Sequence, residues 1–244
     1  MKMIDIIKEN VDKEIKDKAI SNYEDKLKEI DKYVDDKIND IIKSIQDLGV
    51  QIVVIIGAGN ICRGSIIEST GIDRVTGDYM GMLGTIINSF ALRETIKNLG
   101  GKAEVLTAVT VKEFAQTYSP ELANEYLNNG YVTICGGGLG KPFFTTDTCA
   151  TQRAIDTHAE AIFMAKNGVD GIFDSDPRLN KDAKMYKEIK CSDIIKQNLK
   201  VMDLTAVEML KDQNIDVRVF NMNDSTNFLK VITGEDIGTT IKKG

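Results

Sequence analysis

The sequence is poor in the residues on which several classes of catalytic and metal site depend. It has a single histidine, His158, so no histidine-dependent triad or metal cluster can be built. Its four cysteines, Cys62, Cys135, Cys149 and Cys191, show no C-x-x-C spacing, which argues against a zinc site or a disulfide framework. We therefore expect free thiols that are buried or half-buried. We expect His158 at the end of a helix, in a structural or solvent-facing role.

Long apolar runs and an excess of basic residues are also absent. No apolar run approaches the roughly 20 residues that span a bilayer, and the amino-terminal segment is too charged for a secretory signal. The formal net charge of −6 argues against a general nucleic-acid binder, which normally has a basic face. These features predict a cytoplasmic protein with neither a membrane nor a nucleic-acid partner. A nucleotide could still be bound by local amides and a few cations.

Two common nucleotide-binding motifs are missing as well. The chain has no G-x-x-x-x-G-K-[ST] sequence, which excludes the Walker-type kinases. The glycine turn at residues 57–64 (GAGNICRG) is not G-x-G-x-x-G, so a dinucleotide fingerprint is poorly supported. What remains is a phosphate site built from several glycine turns.

From residue 51 onward, short apolar runs alternate with amphipathic stretches. The predicted strands are residues 51–56, 103–109, 131–135, 161–164 and 216–220. The predicted helices are residues 80–98, 120–128, 148–157 and 205–213. This alternation predicts an α/β fold with a mostly parallel sheet sandwiched between helices. Ligands of such sheets usually lie beyond the carboxyl ends of the strands.

Residues 1–48 differ from the rest, with ten lysines, thirteen acidic residues, and neither glycine nor proline. Their apolar spacing predicts two helices, with a break at the capping-box sequence of residues 21–24 (SNYE) and an end at Gly49. A solvated helical face is the preferred interpretation, and an oligomerisation helix pair is the alternative. We expect residues 1–32 to form an atypical charged helical segment and residues 33–244 to form a single α/β domain.

Three glycine-rich segments carry the chemistry. Residues 138–147 (GLGKPFFTTD) follow a predicted buried strand; their glycines let backbone amides approach a ligand, and their threonines offer hydroxyls. Residues 57–64 follow another strand, and residues 77–84 (GDYMGMLG) begin an apolar helix. A glycine-rich turn between a strand and a helix is typical of an anion site.

These segments, together with residues 201–206 (VMDLTA) and 218–223 (RVFNMN), resemble the bacterial uridylate (UMP) kinases of the amino-acid-kinase superfamily. The resemblance extends from about residue 33 to the carboxyl terminus. It implies an amino-acid-kinase-like fold and ATP-dependent phosphorylation of UMP to UDP in pyrimidine nucleotide biosynthesis, with Mg²⁺ accompanying ATP. It also implies a homohexamer with GTP and UTP as effectors.

The resemblance assigns residues to the two nucleotides. Asp78 would accept from ribose hydroxyls, and Arg63, whose other interpretation is a surface salt bridge, would hold donor phosphates bidentately. The residues implied for UMP are Ala58, Asp78, Leu139, Gly140, Lys141, Pro142, Phe143, Phe144, Thr145 and Thr146. The residues implied for ATP are Gly59, Arg63, Asn167, Phe173 and Asp176, the last three in a segment whose composition also predicts a turn-rich hairpin.

Arg63 and Asp147 are the candidate catalytic residues. Asp147 and Asp203 could each orient a lysine or Mg²⁺, which prefers oxygen ligands, or each could cap a helix. For Asp203 we favour the capping role; for Asp147 both interpretations stay open.

The chain departs from the family at two places. The family's amino-terminal K-x-S-G-E motif, whose lysine contacts donor phosphates, has no match, and neither Lys8 nor Lys16 can be assigned its role. The family's K-A-T before the donor loop is replaced by residues 165–167 (AKN), which shifts Lys166 by one position and would reverse its face. The alternative function is therefore a catalytically impaired homologue that binds nucleotides and keeps the UMP pocket.

Overall fold

The computed structural model describes residues 36–62, 71–177 and 179–244. The predicted helix break at residues 21–24, together with Lys8, Lys16 and Arg63, lies outside these residues. The first described helix, α1 (Asp36–Asp47), is followed by Gly49, which has φ +77° and whose amide donates to the Gln46 carbonyl at 2.8 Å. This left-handed glycine confirms the predicted end of the helix.

The remaining elements alternate strands with helices. They are β1 (Val53–Ile55), α2 (Arg74–Asn98), β2 (Ala103–Thr107), β3 (Gln116–Thr117), α3 (Pro120–Asn128), β4 (Val132–Gly136), α4 (Thr146–Asp156), β5 (Ala161–Lys166), β6 (Glu188–Lys190), α5 (Cys191–Gln197), α6 (Leu204–Leu210), β7 (Asp216–Asn221), α7 (Asn227–Ile232) and β8 (Thr239–Lys242). The five predicted strands and four predicted helices are all present. Strands β3, β6 and β8 and helices α5 and α7 were not predicted.

The strands form two four-stranded sheets. The first has the order β1-β4-β2-β3 and is parallel throughout, and the second has the order β5-β7-β8-β6. In the second sheet only the β7–β8 pair is antiparallel. The mostly parallel α/β fold is therefore confirmed.

Strand β4 is the centre of the first sheet. All five of its residues are buried, and because successive side chains point to opposite faces, both faces of the sheet must be covered there. Helix α2 packs against β4 and β2, and α3 packs against β4. The resulting core contains Ile42, Leu92, Ile96, Ala103, Val105, Val132 and Ile134.

A second core fills the second sheet, where Val217, Val219 and Ile241 pack with Ile194 and Leu210. Helix α4 packs against β1 of the first sheet, β5 of the second and helix α6. It therefore lies between the residues implied for UMP, which follow β1 and β4, and the residues implied for ATP that follow β5. Across the described ranges, no helix has both the length and the apolar character needed to cross a bilayer.

Helix α2 begins six residues before its predicted start. Asp73 is its N-cap and accepts from the amides of Val75 at 3.0 Å and Thr76 at 3.1 Å. The prediction missed this start because glycines at positions 77 and 81 weaken the local helix propensity, whereas packing against the sheet compensates for it.

Gly238 gives a test of the turn that leads into β8. Its φ is +73°, and a Cβ there would lie 2.0 Å from the Val219 carbonyl oxygen. Gly234 has φ +91° with nothing within 4 Å of an added Cβ, so it is the matched control. We expect Gly234→Ala to cost about 1–2 kcal/mol of unfolding free energy and Gly238→Ala roughly 1–3 kcal/mol more. Urea unfolding measures both; equal losses would contradict the steric argument.

Candidate functional site

The first glycine loop (residues 57–62) follows β1. The Ala58 carbonyl accepts from the amides of Ile61 at 2.9 Å and Cys62 at 2.7 Å, which closes a tight turn. Ala58 is buried, whereas Gly59 is exposed at the tip. The turn therefore presents the Gly59 backbone to solvent, where a phosphate could approach it.

The second glycine loop (residues 137–146) follows β4. Gly137, Gly138 and Gly140 have φ of +80°, +57° and +72°. At Gly140 an added Cβ would also lie 2.9 Å from the Ala108 carbonyl oxygen, so this position requires glycine. The loop then runs to an exposed tip at Lys141 and residues 143–146.

The two loops lie side by side. Strands β1 and β4 are parallel neighbours, with Ile55 opposite Cys135, so their carboxyl ends emerge at the same sheet edge. An added Cβ at Gly57 would lie 3.7 Å from Thr146 Oγ1. The structure thus brings together two loops that the resemblance assigns to nucleotides: Ala58 and residues 139–146 to UMP, and Gly59 to ATP.

Asp78 connects the third glycine-rich segment to the second loop. Its Oδ2 accepts from the Phe143 amide at 2.7 Å, and its Oδ1 accepts from Arg74 Nε at 2.9 Å. The Arg74 guanidinium carbon lies 5.5 Å from the centre of the exposed Phe143 ring. Residues 77–84 are helical throughout, so this segment supplies a side chain and is not a glycine turn. A carboxylate has about four lone-pair sites, which leaves Asp78 capacity for further donors.

Thr145, and not Asp147, caps helix α4. Thr145 Oγ1 accepts from the amides of Asp147 at 3.1 Å and Thr148 at 3.3 Å. Asp147 lies in the first helical turn, so its capping interpretation is wrong. Asp203 caps α6 through the Ala206 amide at 2.9 Å, which confirms its favoured role.

Asp203 also connects the start of helix α6 to the start of helix α4. Its Oδ2 accepts from Thr148 Oγ1 at 2.7 Å and from Thr145 Oγ1. Desolvation raises the pKa of Asp203, but hydrogen bonds from Thr145, Ala206 and Thr148 outweigh it, and the pKa is lowered overall. The carboxylate is therefore held in its charged form.

Asp147 has the opposite electrostatic environment. Burial raises its pKa; the charge of Lys166 lowers it, and the charge of Asp203 raises it. Lys166 is the last residue of β5, and its charge is the largest influence that lowers the pKa of Asp147. Asp147 and Asp203 line a cavity of about 360 Å³ together with residues 198–202 and Leu204.

The predicted ATP segment begins where β5 ends. Phe173 forms an antiparallel bridge with Met185, and the Tyr186 amide donates to the Ile172 carbonyl at 2.8 Å. The Asp176 carbonyl accepts from the amides of Leu179 at 3.0 Å and Asn180 at 2.9 Å. The predicted turn-rich hairpin is confirmed, with Asn167 exposed at its start.

Comparison with known proteins agrees with this geometry. Residues 20–221 match the amino acid kinase family. A uridylate kinase from Pediococcus pentosaceus is 42% identical over 206 residues, covering 84% of this chain and 86% of the relative. The chain belongs to the bacterial UMP kinase group of the amino acid kinase family.

Two solved structures from this family have the same fold. UMP kinase from Bacillus anthracis has a TM-score of 0.82 at 43% identity, covering 84% of this chain and 85% of its own. UMP kinase from Ureaplasma parvum has a TM-score of 0.81 at 35% identity, covering 85% and 88%. The α/β architecture is thus shared with other bacterial UMP kinases.

Sequence reasoning missed the side chains that hold the loops from behind. Arg153 of α4 donates to the Gly138 carbonyl at 3.2 Å, pairs with Asp156 Oδ2 at 3.1 Å, and has its guanidinium carbon 3.5 Å from the centre of the Tyr118 ring. Thr85 and Asn88 of α2 also bind the loops. These residues follow no motif, because they lie on helices and contact backbone far away in the sequence.

Expectations about histidine and cysteine are confirmed. His158 is exposed immediately after α4, Cys135, Cys149 and Cys191 are buried, and Cys62 is half-buried. Within the part of the chain that the structure covers, no three histidine, cysteine, aspartate or glutamate residues form a metal cluster. Mg²⁺ is commonly held by one or two carboxylates together with substrate phosphates. A single carboxylate, that of Asp147, is therefore compatible with this manner of binding.

The opposed environments of Asp147 and Asp203 predict opposite effects on stability. Asp147 is half-buried, and Asp147→Asn removes a charge that desolvation disfavours, so we expect a more stable protein at pH 7. The raised pKa of Asp147 means that its stabilising contribution is present below the ordinary aspartate value and lost as pH rises through the folded-state value. The advantage of Asp147→Asn over the native chain should therefore shrink as pH falls towards about 4.

Asp203→Ala is the paired variant. The lowered pKa of Asp203 means that its contribution is present above the ordinary value and lost as pH falls through the folded-state value. Losing this cap should cost roughly 1–2 kcal/mol at pH 7. Urea unfolding across this pH range measures both variants. A destabilised Asp147→Asn at pH 7 would contradict the electrostatic assignment.

Proposed function

We propose that this chain transfers the γ-phosphoryl group of ATP to UMP, giving UDP and ADP. Its relatives from Pediococcus pentosaceus, Bacillus anthracis and Ureaplasma parvum are all named as UMP kinases and match it over most of its length. ATP as donor is supported by the resemblance of residues 167–177 to the family's donor loop. The site residues can now be given distinct roles.

The observation that carries the proposal is the meeting of the two glycine loops beyond the carboxyl ends of β1 and β4. Parallel sheets bind ligands at this edge. Phosphoryl transfer needs a donor and an acceptor held in line, with little further covalent chemistry from the protein. Two adjacent loops with exposed tips suit that requirement.

The neighbouring residues Thr145 and Thr146 have different roles. Thr145 is occupied by the α4 cap and by Asp203, so its role is structural. Thr146 is exposed beside Gly57 and contacts the UMP phosphate. Asp78 receives the ribose hydroxyls while it keeps the Phe143 amide in place.

Charge at the transferred group comes from several sources. Arg63, which lies outside the described residues, follows the first glycine loop and supplies a guanidinium for the donor phosphates. Asp147 is the carboxylate that would hold Mg²⁺, because a cation stabilises a charge that burial otherwise disfavours. Bound with ATP, magnesium offsets the negative charge of the phosphoryl group.

The subunits associate through an exposed apolar stripe on α2. Tyr79, Leu83 and Ile87 lie four residues apart on one helix face and are 49%, 56% and 50% exposed. A contiguous apolar patch of this kind marks an interaction surface more often than a solvated one. A homo-oligomer, a hexamer by resemblance, would cover it.

Turnover is the direct test of the proposal. With Mg²⁺ and ATP, the full chain should release ADP when UMP is added and release much less with CMP. Thr146→Val should raise the KM for UMP by about tenfold, since one hydrogen bond to a charged group is lost.

Thr145→Val is the matched control for that variant. It should cost about 1–2 kcal/mol of stability through loss of the cap, whereas Thr146→Val should stay within about 0.5 kcal/mol of native as an exposed substitution. UMP binding without turnover would instead support the alternative function, a nucleotide-binding homologue impaired by its unmatched amino-terminal motif.

Introducing a charged side chain into the α2 stripe tests whether it forms the subunit interface. Leu83→Glu should lower the molar mass measured by light scattering, because a buried unpaired carboxylate is costly at an interface. Leu48→Glu is the matched control: Leu48 is 57% exposed and follows α1, so it is not part of the α2 stripe. A native chain that is monomeric, or equal masses for the two variants, would contradict this interface.

A further inference from the structure

Two buried polar side chains of α2 each hold one of the glycine loops. Thr85 Oγ1 accepts from the Gly137 amide at 2.8 Å and donates to the Met82 carbonyl at 2.7 Å. Asn88 Nδ2 donates to the Gly57 carbonyl at 2.9 Å. Thr85 and Asn88 are three residues apart and so lie on the same helix face.

Asn88 is itself oriented by the first glycine loop. Its amide pairs reciprocally with the buried Asn60 amide, at 3.1 Å and 2.8 Å. The two side chains therefore fix each other's amide orientation and connect α2 to the loop at two points, the Gly57 carbonyl and the Asn60 side chain. Such a fully buried pair is rigid because rotating either amide would break its partners' hydrogen bonds.

The helix backbone also approaches both loops closely. An added Cβ at Gly84 would lie 2.8 Å from Ala58 Cβ. At Gly136 an added Cβ would lie 3.0 Å from Ser89 Oγ and 3.3 Å from Ile86 Cα. With no space between helix and loops, neither loop can shift towards α2, and the two hydrogen bonds prevent them from moving away.

We infer that Thr85 and Asn88 are positioning residues that hold the two glycine loops at the separation needed to bind UMP. The inference rests on the proposed function, because it takes Ala58 of the first loop and residues 139–146 of the second to bind UMP. Neither side chain touches the nucleotide: each acts through a backbone group of its loop. Displacing a substrate-holding group by about 1 Å can cost as much as 10²-fold in rate. The hydrogen bonds from Thr85 and Asn88, which fix the loop backbones, should therefore affect how well the loops bind UMP.

The test compares three threonine variants by calorimetric titration of UMP without ATP. Thr85→Val keeps the shape of the side chain and removes the hydroxyl, whereas Thr85→Ser keeps the hydroxyl. Thr95→Val is the control, because Thr95 Oγ1 donates to the Ala91 carbonyl at 3.0 Å and Thr95 lies ten residues beyond Thr85 on the same helix, which is about 15 Å along its axis. We expect Thr85→Val to raise the dissociation constant for UMP by about tenfold, and Thr85→Ser and Thr95→Val to stay within about twofold.

Asn88→Leu tests the first loop in the same way, and we expect a rise of similar size, about tenfold. Melting temperatures are measured for every variant, and titrations are run well below them. A purely structural role would lower the melting temperature and leave the dissociation constant of the folded protein unchanged. If Asn88→Leu does not fold, the threonine variants still decide the matter.

Each outcome has a defined meaning. Weaker UMP binding by Thr85→Val, restored by Thr85→Ser, supports the inference. Unchanged binding by Thr85→Val, or equal weakening by Thr85→Val and Thr85→Ser, overturns it while the proposed function stands. A native chain that does not bind UMP overturns the proposed function, and this inference with it.

Discussion

The closeness of helix α2 to the ends of β1 and β4 is the constraint on which the site depends. Gly84 and Gly136 lack side chains where a Cβ would meet Ala58 and Ser89, so the helix lies against both loops. The same helix carries Asp78, which receives the Phe143 amide. One element therefore sets the positions of two loops and of a carboxylate between them. This geometry follows from sheet topology, because β1 and β4 are neighbours.

The second constraint is electrostatic and acts where helices α4 and α6 meet. Asp203 receives hydroxyl and amide donors and caps α6, so its charge is stabilised. Asp147 lines the same cavity and is half-buried, and the charge of Lys166 lowers its pKa. Burial disfavours the charged form of the Asp147 carboxylate, and a bound cation would favour it. Such groups are common at functional sites, where stability is given up for binding.

Much of the fold follows from local sequence. Residues 120–128 were predicted with the correct bounds, because Ser119 and Pro120 are strong signals for a helix start; Ser119 does accept from the Leu122 amide at 3.2 Å. The five predicted strands were found from their apolar runs. Strands β3, β6 and β8 have two to four residues and little apolar content, so their formation depends on pairing with distant partners.

Within the site, the glycine loops were recognised but the division of roles was not. Which of Thr145 and Asp147 caps α4 depends on backbone angles and on where Asp203 lies. The face on which Lys166 lies depends on the register of β5, which is set by pairing with β7. Arg153 carried no motif at all.

Local motifs were enough to show the resemblance to the family, and glycine turns with apolar periodicity, which act over a few residues, were enough to locate the strand–loop–helix units and the segments proposed to bind nucleotides. The partners of those segments came from folding alone. Thr145 meets Asp203 across 58 positions and Gly137 meets Thr85 across 52. Asp147 likewise shares its cavity with residues 198–204, about 50 positions further along the chain. Hydrogen bonding and burial are set by distances in space, and sequence order does not contain them.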